Sequence, residues 1–308
     1  MEKRLARTEL LFSIGFLFTL VLAVGAFFYG IKVGSDKTEA KFIEQTKHLS
    51  SNSGASALAY QQQDLVSFYH TVYLPYREFQ NAWVQTMTKL AAGQLADPAA
   101  ALKELSGLAD RKYTEASRAA QPQSSPLLGQ AQVELMKGMK ALGTAADQVK
   151  NNANRTKSSS VLNTINNNQH YNEGVKHILT GQMKYYTSMQ KWSSSVNRDI
   201  PDQYEVKNIL QISAWKKLPL TVKNKLAAEQ IKARNQLTAF LPHDLTARID
   251  EFILSGQASK MKIKTIDAII DLLISTKAVR AGDFGNSKAR LYDNELLPQL
   301  PFFYPEQE

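Results

Sequence analysis

The side chains best suited to chemistry in this chain are few and widely spaced. His170, Glu173 and His177 fall at i, i+3 and i+7 of a helical pattern, which brings two imidazoles and a carboxylate near one face. These are ordinary metal-ligand types. The spacing is neither His-Glu-x-x-His nor the Glu-x-x-His of carboxylate-bridged bundles, and the trio flanks the apolar seam of its helix. It therefore reads as a polar rim, and neither a metal nor another cofactor is expected. The sequence contains no glycine-rich phosphate loop followed by Lys-Ser/Thr, no nucleophile elbow and no cysteine. Catalysis is accordingly not expected.

Two aromatic groups are the stronger candidates for contact with another molecule. Phe68, Tyr69, Tyr73, Tyr76, Phe79 and Trp83 form a stripe at helical spacing, interrupted by Pro75. Proline lacks the N–H of a regular helix, and its ring presses on the carbonyl of the residue four back, here Thr71. A kink at that point would open a pocket with Tyr73, Pro75 and Tyr76 as ligand contacts. Rings at helical spacing more often fill a core, and core is the expectation. The second group is the tail, LLPQLPFFYPEQE, in which three prolines favour extended backbone around Phe302, Phe303 and Tyr304. Such rings are not comfortable in water. They predict docking on the protein's own helices, with a protein partner as the sharper alternative.

Charge adds a third candidate surface. Residues 203–290 hold 15 Lys or Arg against 8 Asp or Glu, a net of +7. A solvated charged surface is the plain expectation, and a basic face of this kind also suits anionic lipid headgroups or an anionic envelope polymer. Nucleic acid is not expected, because the region has neither zinc-finger spacing nor an aromatic RNA-binding motif.

The elements that must hold these residues are helices. Four long patterns at steps of three and four run from about Ser56 to Val196, and no comparable stretch alternates with period two. The first, Ser56–Ala92, is expected to stop at Gly93. The second starts at Asp97, a good N-cap, with Pro98 at the first helical position. The third carries Leu128, Leu135, Met139, Leu142, Ala146 and Val149. A polar loop, 151–159, then separates it from a fourth beginning near Leu162. Repeats near 3.5 residues joined by short loops predict an antiparallel four-helix bundle, with the first and fourth helices longer than the middle two.

Beyond Pro201 the pattern is still helical. One or two helices are broken at Pro219, another starts at Pro242-His243-Asp244, and an amphipathic stretch from Ile263 to Val279 is ended by Gly282-Asp283-Phe284-Gly285-Asn286. This smaller region either stands alone or packs on the bundle.

The fold class expected is thus all-α: a single N-terminal transmembrane helix, an antiparallel four-helix bundle and a smaller C-terminal helical region. The transmembrane helix is Leu10–Ile31, 22 residues without a charge. At about 1.5 Å per residue it reaches roughly 33 Å, enough for a bilayer core of about 30 Å. A cleaved signal peptide competes, given Lys3, Arg4, Arg7 and a passable cleavage site at Val24-Gly25-Ala26. The apolar run exceeds a usual signal core and continues through Phe27-Phe28-Tyr29, which favours an uncleaved anchor. Lysines and arginines on both flanks give no orientation bias. The short leading segment and the absence of cysteine tilt toward the bulk outside the cell membrane. Ala26, Gly30 and Gly34 recur every four residues, a face suited to pairing with a second membrane helix or a second copy of this chain.

The organisation expected is therefore a flank at 1–9, an anchor at 10–31, a stalk at 32–55, a bundle at 56–200, a basic helical region at 201–290 and an apolar tail at 291–308. Function follows as an interaction or scaffold module held at the envelope side of a membrane. The alternative is a ligand-sensing bundle that signals through a membrane partner.

Overall fold

The first long helix of the bundle changes its winding in the middle. In a computed structural model describing residues 60–304 except 121, 123, 207 and 208, α1 (Gln62–Phe68) runs into a π-helical turn, Tyr69–Tyr73, and on into α2 (Leu74–Ala91). The amide of Leu74 donates to Tyr69 O, five residues back, which is the π register. The wider turn lies directly before Pro75, so the backbone absorbs the missing donor and the ring without ending the rod. It stops where expected: Gly93 adopts φ +67° and Gln94 N donates to Lys89 O at 2.9 Å, closing the helix end.

The apolar run Leu10–Ile31, its Ala26, Gly30 and Gly34 face and the stalk lie outside the described residues. Among the described residues no helix is long and apolar enough to cross a membrane. The described chain is helical throughout, apart from loops and one isolated antiparallel bridge between Gln211 and Thr265.

Helix α3 (Pro98–Ser117) begins as its sequence predicts, with Asp97 Oδ1 accepting from Ala100 N at 2.9 Å. Asn154 donates to that same carboxylate and accepts from Ala99 N, tying this start to the end of α4 (Pro126–Ala153). Two expectations need correction. The third helix continues to Ala153, so at 28 residues it equals the fourth rather than being shorter. The fourth pattern is also two helices: α5 (Ser158–Asn166) carries Leu162 and Ile165, and α6 (Gln169–Val196) starts afresh. The break is made by Asn168, whose side chain accepts from His170 N and Tyr171 N.

Four rods, α1–α2, α3, α4 and α6, pack antiparallel. Trp83 stacks on Tyr171 while Phe68, fifteen residues earlier, meets Tyr185, fourteen residues further along α6. Helices α4 and α6 approach closely because glycines face large side chains across the seam. Gly138 faces Ile178, Gly174 faces Leu142 and Gly181 faces Leu135.

The C-terminal region packs on this bundle and extends the same core. After α7 (Ile212–Trp215), α8 (Leu220–Ala233) lies along α6. Helix α9 (Pro242–Leu254) packs on α8, on α11 (Ile266–Ser275) and on α12 (Asp283–Leu291), with the short α10 (Gln257–Lys260) between α9 and α11. The Gly282–Asn286 stretch starts α12 rather than merely ending the preceding helix. Gly282 sits at φ +90°, and Asp244 Oδ1 accepts from the amides of Gly282 and Phe284 at 3.2 and 3.1 Å.

Asp250 on α9 is the polar pivot of this region. It accepts from Trp215 Nε1 at 2.7 Å, Lys223 Nζ at 3.0 Å and Tyr292 OH at 2.7 Å. One continuous hydrophobic core runs from Leu65 in α1 to Phe303 in the tail.

Candidate functional site

The π-helical turn, α6, the start of α9 and the C-terminal tail converge on one aromatic cluster. The π turn contributes Tyr69 and Tyr73. The Tyr73 ring lies 4.6 Å from Tyr185, 5.4 Å from Tyr76 and 6.1 Å from Phe302, centroid to centroid. Tyr73 and Tyr76 are fully buried, and their hydroxyls make no hydrogen bond of ordinary geometry, with Tyr186 the polar neighbour of the first and Arg77 of the second. Burial pushes the Tyr73 and Tyr76 phenols far above their ordinary range, so both stay protonated.

His243, the second residue of α9, sits at the centre. Its ring is stacked on Phe302 at 4.9 Å with an 8° tilt, and Phe284 and Phe303 meet it at 5.2 and 5.1 Å. Nδ1 shares a 2.7 Å hydrogen bond with the Tyr186 hydroxyl of α6. Burial first, and the nearby Arg77 charge second, hold the imidazole down to about 3. Burial also raises the Tyr186 phenol well above its usual value. Both partners are therefore neutral near pH 7, and neither exchanges a proton readily at that pH. The pair joins α6 to α9; it is poorly suited to general acid–base work.

The tail docks on the protein's own surface, as expected. Phe303 is fully buried against Phe284 and His243, and Phe302 lies between His243 and the π-turn tyrosines. Tyr304 remains exposed, with Lys288 Nζ 3.4 Å over its ring. Of the six contact residues read from sequence, Tyr73, Phe302 and Phe303 meet in this cluster. Tyr76 adjoins it through Tyr73, Pro75 is buried at the start of α2, and Tyr304 stands at the rim. His243, Tyr186 and Arg77 were not foreseen. The Pro242-His243-Asp244 triplet signals a helix start, and nothing local says that its imidazole turns inward.

The His170, Glu173 and His177 trio does not converge. His177 Nδ1 pairs with Glu134 of α4 at 2.7 Å, whereas His170 lies 3.8 Å from Glu173. Burial works against the Glu134 carboxylate, but the hydrogen bond from His177 and the positive charges around it, those of Lys184 and Lys137 included, together outweigh it and hold its pKa below the usual range. Among the described residues no three His, Cys, Asp or Glu side chains are grouped to hold a metal ion. A groove of about 270 Å³ opens between the end of α4 and α5, lined by Gln148, Asn152, Arg155, Thr156, Ser160 and Thr164 among others. Its only charged lining residue is Arg155, so it offers polar contacts without an acid–base pair.

Compared with protein-family models, with curated proteins and with solved structures, the chain matches none.

Proposed function

We propose that this chain is a membrane-anchored helical interaction protein working on the envelope side of a cell membrane, with Leu10–Ile31 as its uncleaved anchor. The observation that carries the reading is the combination of a charge-free 22-residue run with a helical body whose large aromatic side chains close its interior. An anchor gives location, and a filled body gives a rigid platform whose surfaces are available for binding. The partners that suit it are the membrane itself, another envelope protein, an anionic envelope polymer or a second copy pairing through Ala26, Gly30 and Gly34.

Reporter fusions after Met1 and at the C-terminus, combined with alkaline extraction of membranes, test the placement. An extraction-resistant protein with an external C-terminus is expected. A cytoplasmic C-terminus overturns the localisation, and release by alkali overturns the anchor. Turnover of a substrate by the purified protein would overturn the interaction role.

A ligand-sensing role is the second reading, favoured by one observation. The buried Tyr73 and Tyr76 hydroxyls, without a hydrogen bond of ordinary geometry, lie in and just after a π turn, the kind of winding defect that recurs at functional sites. A small molecule that raises the melting temperature of the full chain, with the rise lost in Tyr73→Phe, would support it.

A further inference from the structure

The strongest unassigned surface is a corner of the C-terminal region built from two segments distant in sequence. The isolated bridge between Gln211 and Thr265 joins them, with Ile212 N donating to Lys264 O at 3.1 Å and Ile266 N to Leu210 O at 2.9 Å. Trp215 Nε1 pins the first segment again, to Asp250, one turn before the end of α9. Lys216 and Lys217 are thereby held in the same corner as Lys260, Lys262 and Lys264.

Within the two bridged segments every cation is one of these five lysines, none of them paired with a carboxylate among the described residues, and Lys277 and Arg280 elsewhere in the region make no such pair either. Lys223, Lys225, Arg234 and Arg248 are each paired with a carboxylate. The five are exposed and form no ion pair among the described residues. Residues 209–220 and 254–266 contain no Asp or Glu; Asp267 is the first carboxylate beyond them. An excess of positive charge is thus left without internal compensation.

The same corner exposes large apolar side chains. Ile209 is 66% exposed, Leu254 at the end of α9 is 63% exposed, and Met261 between two of the lysines is 53% exposed. They are three of the six large hydrophobics left in solvent among the described residues. The Lys260–Lys264 segment turns at Lys262, φ +57°, and Met261 and its three lysines are all exposed along it. Charge alone would suit any polyanion. Apolar side chains set among unpaired lysines suit an interface that is anionic outside and hydrocarbon beneath.

We propose that this corner is a contact site for an anionic lipid bilayer, with Met261 and Leu254 entering the headgroup boundary and the lysines meeting lipid phosphates. The inference deepens the membrane-anchored reading and rests on it, since an anchored body meets the bilayer at high local concentration.

The absence of cysteine makes the test direct. The full chain carrying Met261→Cys is labelled with an environment-sensitive fluorophore and reconstituted into vesicles of phosphatidylcholine alone or containing phosphatidylglycerol. Ser117→Cys, exposed at the end of α3, serves as the control position. Blue-shifted, brighter emission at residue 261 only in the anionic vesicles, reversed by salt, is expected. Changing Lys260, Lys262 and Lys264 to Gln should shift the contact equilibrium by about tenfold or more toward the free state.

Emission at residue 261 that is equal in both vesicle types overturns the contact. A response to soluble heparin but not to anionic vesicles overturns it in favour of an anionic polymer. Flotation of the same samples separates the two levels of the argument. Chain that floats with both vesicle types but stays silent at residue 261 in the anionic ones loses the corner and keeps the anchor. Chain that floats only with anionic vesicles, and is released by salt, loses the anchor and keeps the corner.

Discussion

A β-carbon placed on Gly181 would sit 2.8 Å from Leu135 Cγ and 3.0 Å from the carbonyl oxygen of Ala131. The second neighbour is backbone and cannot rotate away. Gly181→Ala should therefore separate α4 from α6 and cost about 1–3 kcal/mol, read as a lower urea midpoint. Gly107, on α3, meets only the end of Arg111 at 3.4 Å. There the same substitution should raise stability by about 0.5–1 kcal/mol, because only the backbone-entropy term changes. His243 makes a prediction with a different variable. Its folded imidazole is held at about 3 by burial and by Arg77, against about 6.5 in the unfolded chain. Between those values the unfolded state binds a proton that the folded state does not. The contribution of His243 is thus full above pH ~6.5 and is lost as pH falls toward about 3, reaching a loss of ~2 kcal/mol near pH 5. Urea midpoints of the wild type and of His243→Phe at neutral and mildly acidic pH check this. The variant should start lower and show a shallower decline, and parallel declines would rule the imidazole out as the source.

At the scale of elements, the tail is the piece whose removal should be most visible. Phe303 is fully buried against α9 and α12 residues, so Phe303→Ala should cost about 3–5 kcal/mol. Tyr304→Ala, which removes only a rim contact with Lys288, should cost less than about 1 kcal/mol. Thermal melts of the two variants give the ranking. That this tail would dock could be read from Phe302 and Phe303 set among prolines, but not where it docks, because the site combines a π turn, α6 and α9. The same division holds along the chain. Helix starts at Asp97-Pro98 and Pro242 and the stop at Gly93 were legible, since caps and left-handed glycines act within a few residues. The seam of the fourth rod was legible too, yet its break was not. Leu162 and Ile165 of α5 continue the spacing of α6, so periodicity alone joins two helices that Asn168 separates. The π turn was half legible. Pro75 announced a disturbance, but whether a helix kinks or rewinds depends on the rings packed around it.

The whole molecule poses the question of whether the bundle and the C-terminal region open together. Their hydrophobic core is continuous, α8 lies along α6, and the Tyr186–His243 bond and the Phe302 stack cross between them. A boundary of that kind leaves little surface along which one part can leave the other folded. Asp250 offers a way to perturb only one side. It lies in α9, buried among Trp215, Lys223 and Tyr292, none of which belongs to the four rods. Asp250→Ala leaves the Lys223 ammonium without its carboxylate and two other donors without an acceptor, at a cost of about 3–5 kcal/mol. If the body is one cooperative unit, that cost must appear everywhere. Amides in the middle of α4, which Asp250 does not touch, should lose hydrogen-exchange protection by the same free energy as amides in α9. Protection lost in α9 alone would mean that the C-terminal region opens by itself, and the platform would then be two parts with a hinge between them.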